Sequence, residues 1–334
     1  MDSNYDVYGI GNALVDIEVK VDDDFLKNMN IEKGLMSLVD KKRQDSLLNS
    51  FNSFDKRTCG GSAANSMIGM AQLGGKCFYS CKVSNDEMGT FFYNDLIKTG
   101  VDTNLIPSSL PEGTTGRCLV LVTPDAERTM ESYLGITESF SEDELNFDRL
   151  KKSKYLYIEG YLVTSDTGRH AAVMARKFAE DNKISVALTL SDPAMPKYFG
   201  DGLKEIIGDR GVDLLFCNEE EACLFTKQND LDSAINDLSK YAKNIVITRG
   251  ERGAIVSWEG NLIEVPAEKI VPVDTVGAGD IFAGSFLYGI SKQYDPKTSC
   301  QLACRLASKL VTVHGARLDF SDVEKIKKEV LKVN

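Results

Sequence analysis

The chain has 334 residues, of which 43% are hydrophobic and 27% charged, values typical of a folded globular protein. Its formal net charge of −11 argues against sequence-independent nucleic-acid binding, which needs a basic surface. The N-terminus does not resemble a signal peptide, and no apolar run is long enough to span a membrane. We therefore expect a cytoplasmic protein without membrane or nucleic-acid partners, whose eight scattered cysteines are reduced.

Short apolar runs alternate with helical patterns along most of the chain. The predicted strands are 5–11, 77–83, 155–158, 185–190, 213–217 and 244–248, and the predicted helices are 62–73, 87–99, 167–181, 219–225, 231–242, 278–291, 298–313 and 321–334. This order predicts an α/β fold with a mostly parallel sheet covered by helices on both faces. In such sheets, ligands bind beyond the carboxyl ends of the strands.

Two regions interrupt that order and predict a second, small sheet. Residues 14–21 alternate strictly, with Asp16 and Glu18 on one face and Val15 and Ile17 on the other, as expected for a half-exposed strand. Further β-rich runs lie at 117–123 and 129–133, joined by a turn at 123–126, and a shorter run lies at 35–39. We expect a small antiparallel sheet, formed by about 13–40 and 113–135 and inserted into one domain spanning 1–334.

Three small residues, Gly277, Ala278 and Gly279, directly precede Asp280 at the start of a predicted helix. Backbone N–H groups at a helix N-terminus attract anions. An aspartate beside such a site makes chemical sense if it takes a proton from a hydroxyl group while the amides hold a transferring phosphoryl group. The alternative is an ordinary glycine-rich helix start.

Two segments near the N-terminus carry groups suited to a sugar diol. Gly60 and Gly61 allow close backbone approach to a ligand, and Asn65 follows on the first turn of a helix. Asn12 follows the first predicted strand, and Asp16 lies on the polar face of the strand predicted at 14–21. There its carboxylate can accept hydrogen bonds from two hydroxyls. A tight turn with a Ser cap and a solvated strand aspartate are the competing interpretations.

Two further segments follow predicted strands in the second half of the chain. Asn218 and Glu221 open a helix, where they either hold Mg²⁺ through water or simply favour the helix start. Residues 248–253 offer a hydroxyl, two glycines and two arginines near the place expected for nucleotide phosphates, or form a plain hairpin turn. Neither the dinucleotide-binding glycine fingerprint nor the Walker A loop is present.

These five segments, taken in chain order, resemble the ribokinase-like (PfkB) carbohydrate and nucleoside kinases. The paired family signatures match at 60–65 and 274–280, and the resemblance extends from about residue 5 to about residue 317. Residues 12–16, 127–135 and 190–193 are most similar to the bacterial adenosine-kinase-like branch. The resemblance implies a ribokinase-like fold, with the small sheet acting as a lid that excludes water from the reaction.

The resemblance also implies a role for each matching position. Asp280 would be the general base, and Gly277, Ala278 and Gly279 would form the anion hole. The residues implied for substrate binding are Asn12, Asp16, Gly60, Gly61, Asn65, Cys118, Arg128 and Tyr161. The residues implied for ATP binding are Asn218, Glu221, Thr248, Gly250, Gly253 and His314. Asn218 and Glu221 would organise Mg²⁺ through water, and Asp274 would belong to a possible K⁺ site.

The implied reaction is transfer of the γ-phosphoryl group of ATP to the 5′-hydroxyl of a nucleoside, adenosine first, giving AMP. An apolar wall for a purine would come from Leu14, Val15, Met36, Cys118 and Leu134, with Tyr161 or Leu162. The alternatives are a kinase for fructose, ribose or a sugar acid, and a non-catalytic nucleotide-binding protein. A sugar acid would need a cation such as Arg117 or Arg128, while Arg128 could instead pair with Glu127 or Glu131. Both a monomer and a homodimer are compatible with the sequence.

Overall fold

The computed structural model describes residues 4–34, 36–125 and 127–332. The strands are β1 Tyr5–Ile10, β2 Leu14–Lys20, β3 Met36–Leu38, β4 Lys56–Gly60, β5 Cys77–Ser80, β6 Val101–Thr103, β7 Gly116–Val122, β8 Arg128–Tyr133, β9 Ser153–Glu159, β10 Ser185–Thr189, β11 Val212–Asn218, β12 Ala242–Thr248, β13 Ala254–Trp258 and β14 Asn261–Val265. The α-helices are α1 Asp23–Asn28, α2 Lys41–Leu48, α3 Ser62–Gln72, α4 Glu87–Lys98, α5 Phe147–Leu150, α6 Asp166–Asp181, α7 Ala194–Ile207, α8 Glu219–Thr226, α9 Leu231–Leu238, α10 Ala278–Ser291, α11 Pro296–Leu310 and α12 Phe320–Leu331. Short 3₁₀ turns lie at Pro107–Ser109, Gly135–Ser139, Glu142–Glu144, Gly160–Thr164 and Gly250–Arg252.

The main sheet has nine strands in the order β14-β13-β12-β11-β10-β9-β1-β5-β6. The strands from β12 to β6 pair in parallel, and β13 and β14 add an antiparallel edge. Alternate residues of β1 belong to different hydrophobic cores: Val7 lies in the core that includes residues of α3, α10 and α11, whereas Tyr8 lies in the core that includes residues of α6, α7 and α9. Helices therefore cover both faces, and the predicted α/β architecture is confirmed.

The second sheet has five strands in the order β3-β8-β7-β2-β4. Its pairing is mixed, because β2 runs parallel to β7 and β3 runs parallel to β8. The expectation of an antiparallel sheet was therefore wrong, as was the omission of β4, which pairs antiparallel with β2. Parallel pairing is possible because β2 and β7 are joined through the main body rather than by a hairpin. Residues 35 and 126 of the predicted strand and turn lie outside the described residues.

Helices α3 and α10 lie in close contact behind the site described below. A Cβ at Gly284 of α10 would overlap the backbone carbonyl of Ser66 in α3, and a Cβ at Gly69 of α3 would press against Ile281. Glycine at position 284 therefore lets the two helix backbones approach closely. This contact sets the distance between the N-terminal turns of the two helices.

No helix in the described ranges combines the length and the apolar character that crossing a membrane requires. All eight cysteines are free thiols, and seven of them are buried. Burial raises the pKa of the Cys118 thiol to about 12, so this thiol stays protonated and unreactive near neutral pH. The expectation of reduced, structural cysteines agrees with this arrangement.

Candidate active site

The glycine-rich turn leads directly into α10. Gly277 has a φ of 76°, and a Cβ at this position would collide with Ala316. A left-handed residue in contact with another backbone is a place where glycine is strongly preferred. Gly279 on the first turn of α10 faces open space. Ahead of Asp280, the start of α10 therefore presents backbone rather than side chains to the cavity in front of it.

Asp280 is held by two side chains from the N-terminus of α3. Ser62 Oγ donates a 2.6 Å hydrogen bond to one carboxylate oxygen, and Asn65 Nδ2 donates a 3.1 Å bond to the other. Burial raises the pKa of Asp280 to about 6, against the lowering effect of these two bonds. A carboxylate with a raised pKa is suited to act as a general base near neutral pH.

The start of α3 differs from the competing interpretation of a serine cap. Gly61 is the capping residue, with a φ of 101°, and Ser62 instead uses its hydroxyl to bind Asp280. A Cβ at Gly61 would overlap the backbone carbonyl of Asn12, so glycine is needed for this close contact. The Oδ1 atom of Asn65 is buried without a hydrogen-bond partner in the described chain. It is therefore a polar atom of the site whose hydrogen-bonding capacity is unused in the described chain.

Asp16 of β2 lies across the cavity from α10. Burial raises its pKa to about 7, the nearby charge of Asp280 adds to this effect, and Arg317 and Arg128 oppose it. Gly60 of β4 lies directly beside Asp16, where a Cβ would overlap the carboxylate. Gly60 thus makes room for Asp16 rather than lining the cavity itself.

Glu159 at the carboxyl end of β9 is a site residue that sequence reasoning missed. Its carboxylate accepts hydrogen bonds from Asn12 N and Nδ2, each 3.1 Å, and from Ala63 N at 2.8 Å. Burial raises the pKa of Glu159 to about 7, although these bonds and the partial positive charge of the α3 N-terminus favour its ionised form. Glu159 therefore fixes the Asn12 loop against the start of α3.

These groups surround a cavity of about 550 Å³ between the two sheets. Asn12, Asp16, Gly61, Asn65, Cys118 and Tyr161 line it, together with Gly277, Gly279 and Asp280. The small sheet contributes Leu14, Met36, Leu38, Cys118, Met130, Ser132 and Leu134. Val15 and Leu162 of the expected apolar wall are buried in the cores instead. Of the residues that the structure describes, no lysine, arginine or histidine lines this cavity.

A second cavity, of about 680 Å³, adjoins the first. Both are lined by Thr248, Thr275, Gly279 and Phe282, so the N-terminus of α10 faces the place where they meet. Gly250, Gly253 and Ala278 line the second cavity as well. His314 is exposed and lines neither cavity, and so the expectation that it contacts a nucleotide lacks support in its position.

Asn218 and Glu221 cap α8 at the wall of the first cavity. Asn218 Nδ2 donates a 2.7 Å bond to Glu221, and the backbone N–H of each residue donates to the side chain of the other. Burial raises the pKa of Glu221 to about 7. Within the described ranges, no three His, Cys, Asp or Glu residues form a metal-binding group. The ligands of any Mg²⁺ bound here would therefore be mostly water molecules and phosphate oxygens.

Arg128 of β8 does not line the first cavity, but it lies on the same face of the small sheet as Met130 and lines a smaller cavity beside it together with Asp16. Its Nη2 lies 2.9 Å from Glu18 Oε2 and 2.8 Å from Asp274 Oδ2. The alternative of a pairing with Glu127 or Glu131 was therefore wrong, and neither Arg128 nor Arg117 is among the residues that line the first cavity. Arg117 instead pairs with Asp45 at 2.8 Å.

Comparison with known proteins agrees with this architecture. The model of the pfkB family carbohydrate kinases matches residues 38–322. Adenosine kinase 2 of Arabidopsis thaliana is 28% identical, with 94% of this chain and 96% of that protein covered. The 5-dehydro-2-deoxygluconokinase of Clostridium beijerinckii is 27% identical, with 81% and 84% covered. The crystal structure of adenosine kinase from Sinorhizobium meliloti is 32% identical, covers 98% of this chain and 100% of its own, and superposes with a TM-score of 0.89. The chain therefore belongs to the pfkB family of kinases, phosphotransferases that use ATP and an alcohol acceptor.

Proposed function

We propose that this kinase phosphorylates the 5′-hydroxyl of adenosine. The observation that carries the proposal is the chemistry of the first cavity, which combines acidic and amide groups on one side with an apolar wall on the other and lacks cationic lining among the described residues. Asp16 and Asn65 suit ribose hydroxyls, and the apolar residues of the small sheet suit the face of a purine. The adenosine kinases among the relatives support the same substrate class.

The proposed reaction uses the junction of the two cavities. Adenosine occupies the first cavity, ATP occupies the second, and Asp280 takes the proton from the 5′-hydroxyl as its oxygen attacks the γ-phosphorus. The ADP oxygen leaves, and the N–H groups of Gly277, Ala278 and Gly279 stabilise charge on the transferring group. The small sheet acts as a lid that excludes water, which could otherwise attack the γ-phosphorus in place of the 5′-hydroxyl.

The residues that we propose to bind the nucleotide are those that line the second cavity. Thr248, Gly250 and Gly253 lie where they would contact the phosphates. Mg²⁺ bound with ATP would neutralise phosphate charge, and the oxygen atoms of Asn218 and Glu221 fit it through water. The side chains of Arg249 and Arg252 already pair with Glu264 and Glu219, so they supply positive charge near this cavity rather than free ligands.

A sugar acid is the main competing acceptor, because the Clostridium relative is named for a gluconate derivative. An acid would bring its own negative charge next to Asp16, Glu159 and Asp280, and no cationic side chain of the described residues lines the cavity to balance it. The lining therefore favours a neutral acceptor. Ribose and fructose are neutral as well, but they would leave the apolar wall of the small sheet uncovered.

The test is release of ADP from Mg²⁺ and ATP in the presence of adenosine, inosine, guanosine, ribose, fructose or gluconate. We expect adenosine to give the highest kcat/KM, with phosphate on the 5′-oxygen of the product by phosphorus NMR. A higher kcat/KM for a free sugar or a sugar acid would overturn the proposed substrate while keeping the kinase chemistry. An enzyme that binds ATP but turns over none of these acceptors would overturn the proposal as a whole.

A further inference from the structure

Asp274, at the start of the glycine-rich turn, is a buried carboxylate whose oxygens already face N–H groups. Its side chain is only 1% exposed. Oδ1 accepts a 3.0 Å bond from Val276 N, and Oδ2 accepts a 2.6 Å bond from Gly315 N. Through these bonds Asp274 joins the turn before α10 to the segment that follows α11.

The positive charge beside Asp274 comes from Arg128 of the small sheet. The Arg128 side chain is 8% exposed, and its Nη2 lies between Asp274 and Glu18. A buried carboxylate is costly without a positive partner, and this guanidinium supplies one. It also fixes the small sheet to the turn that would hold the transferring phosphoryl group.

The resemblance to ribokinase-like kinases implied a possible K⁺ site at Asp274, and the surroundings of this carboxylate do not fit one. A monovalent cation needs oxygen atoms that face it, whereas the oxygens of Asp274 face two backbone N–H groups and a guanidinium. Of these three donors only the guanidinium carries a positive charge, so the charge that the carboxylate needs is already present.

We propose that Arg128 is a built-in replacement for the monovalent cation, a positioning residue that holds the anion-binding turn through Asp274. This inference rests on the proposed kinase function. It predicts an enzyme that does not depend on added K⁺. It also predicts that removal of the guanidinium creates a demand for an external cation at the same carboxylate.

The experiment compares the wild type with Arg128→Ala, Arg128→Lys and the double variant Arg128→Ala/Asp274→Asn. ADP release with adenosine and the melting temperature are each measured with K⁺, Na⁺ or tetramethylammonium as the monovalent cation. Arg57→Ala is the matched control, since Arg57 lies on the same sheet in an ion pair with the exposed Glu87.

The wild type and the Arg57 control should show the same kcat and melting temperature with all three cations. Arg128→Ala should lose kcat by on the order of 10²-fold in tetramethylammonium, with a smaller change in the KM for adenosine, because the turn loses its shape. K⁺ or free guanidinium should restore much of that loss and raise the melting temperature. Arg128→Lys should keep its independence of K⁺, since it carries its own charge.

The double variant is the decisive control, because without the Asp274 carboxylate neither K⁺ nor guanidinium should restore activity or stability. A wild type activated by K⁺, or an Arg128→Ala enzyme as active as the wild type in tetramethylammonium, would overturn the inference. So would a loss that no cation restores, since Arg128 would then act directly on a substrate. If the wild type phosphorylates no nucleoside, the proposed function fails, and the melting temperatures still test the Arg128–Asp274 pair.

Discussion

The hydroxyl of Ser62 donates a 2.6 Å hydrogen bond to the carboxylate of Asp280, although 218 positions separate the two residues. The bond joins the first turn of α3 to the first turn of α10. Those turns belong to the two signatures that characterise the family at the sequence level. The proposed general base and the proposed ribose-binding helix are therefore oriented by each other, and a change in one should be detectable in the other.

The first prediction concerns removal of the proposed base. Asp280→Asn should lower kcat by roughly 10²–10⁴-fold, because the amide cannot accept the hydroxyl proton. The KM for ATP should change little, since the backbone of the turn is unaltered. Steady-state kinetics with adenosine measure both values. Near-normal turnover of Asp280→Asn would show that another group is the base.

The same substitution should also stabilise the protein. The folded-state pKa of Asp280 is raised to about 6, so the free energy of unfolding falls as pH rises through that value. Removal of the buried charge should therefore increase the free energy of unfolding at about pH 8 by about 1–3 kcal/mol. The gain should disappear near pH 4, where the aspartate is protonated in the folded state. Denaturant titrations at both values measure it, with the exposed Asp201→Asn variant as the control that should not change.

The second prediction concerns the pH profile. Because Asp280 must be ionised to act as a base, kcat/KM for adenosine should fall as pH decreases through about 6. The bond from Ser62 lowers the pKa of Asp280, so Ser62→Ala should move this acidic limb to higher pH. Ser62→Thr keeps a hydroxyl and should leave the limb closer to its original position. An acidic limb that is identical in Ser62→Ala and the wild type would contradict the assignment of Asp280.

The third prediction concerns the contact between α3 and α10. Gly284→Ala should destabilise the protein by about 1–3 kcal/mol or more, because its Cβ would overlap the carbonyl of Ser66 and force the helices apart. It should also lower kcat, since the Ser62–Asp280 bond would lengthen. Gly200→Ala in α7 is the matched control: its Cβ would have no neighbour within 4 Å. That change should be neutral or mildly stabilising, as expected for alanine in a helix. Equal melting temperatures for the two variants would refute the packing argument.

The sequence predicted the site residues best where their position depends on the local succession of strands and helices. Asn65, Asn218 and Asp280 each lie at a strand end or on the first turn of a helix that the apolar pattern located, and Asp16 lies on the polar face of a predicted strand. The fold brings all four to one cavity. Glu159 was missed because the predicted strand stopped one residue before it. A glutamate directly after the apolar end of a predicted strand, here residues 156–158, is a signal that could have identified it.

Long-range pairing could not be predicted in the same way. Arg128 contacts Glu18 because β7 lies between β8 and β2 in the small sheet, an order that follows from the parallel pairing of β2 with β7. Hydrophobic alternation determines which residues share a face, but not which strands are neighbours. The sequence therefore suggested only the nearby residues Glu127 and Glu131 as partners for Arg128.

The last prediction concerns Glu159, whose carboxylate accepts three N–H bonds from the Asn12 loop and from Ala63. In Glu159→Gln, one oxygen becomes an NH₂ group that faces at least one of these N–H donors, so a bond is replaced by donor–donor repulsion. The Asn12 loop and the start of α3 should separate slightly. The KM for adenosine should rise while the KM for ATP stays the same, because Glu159 lines only the first cavity. Glu205→Gln, at an exposed ion pair with Arg169, should leave both constants unchanged. If Glu159→Gln raised the KM equally for both substrates, Glu159 would support the fold as a whole rather than the adenosine cavity in particular.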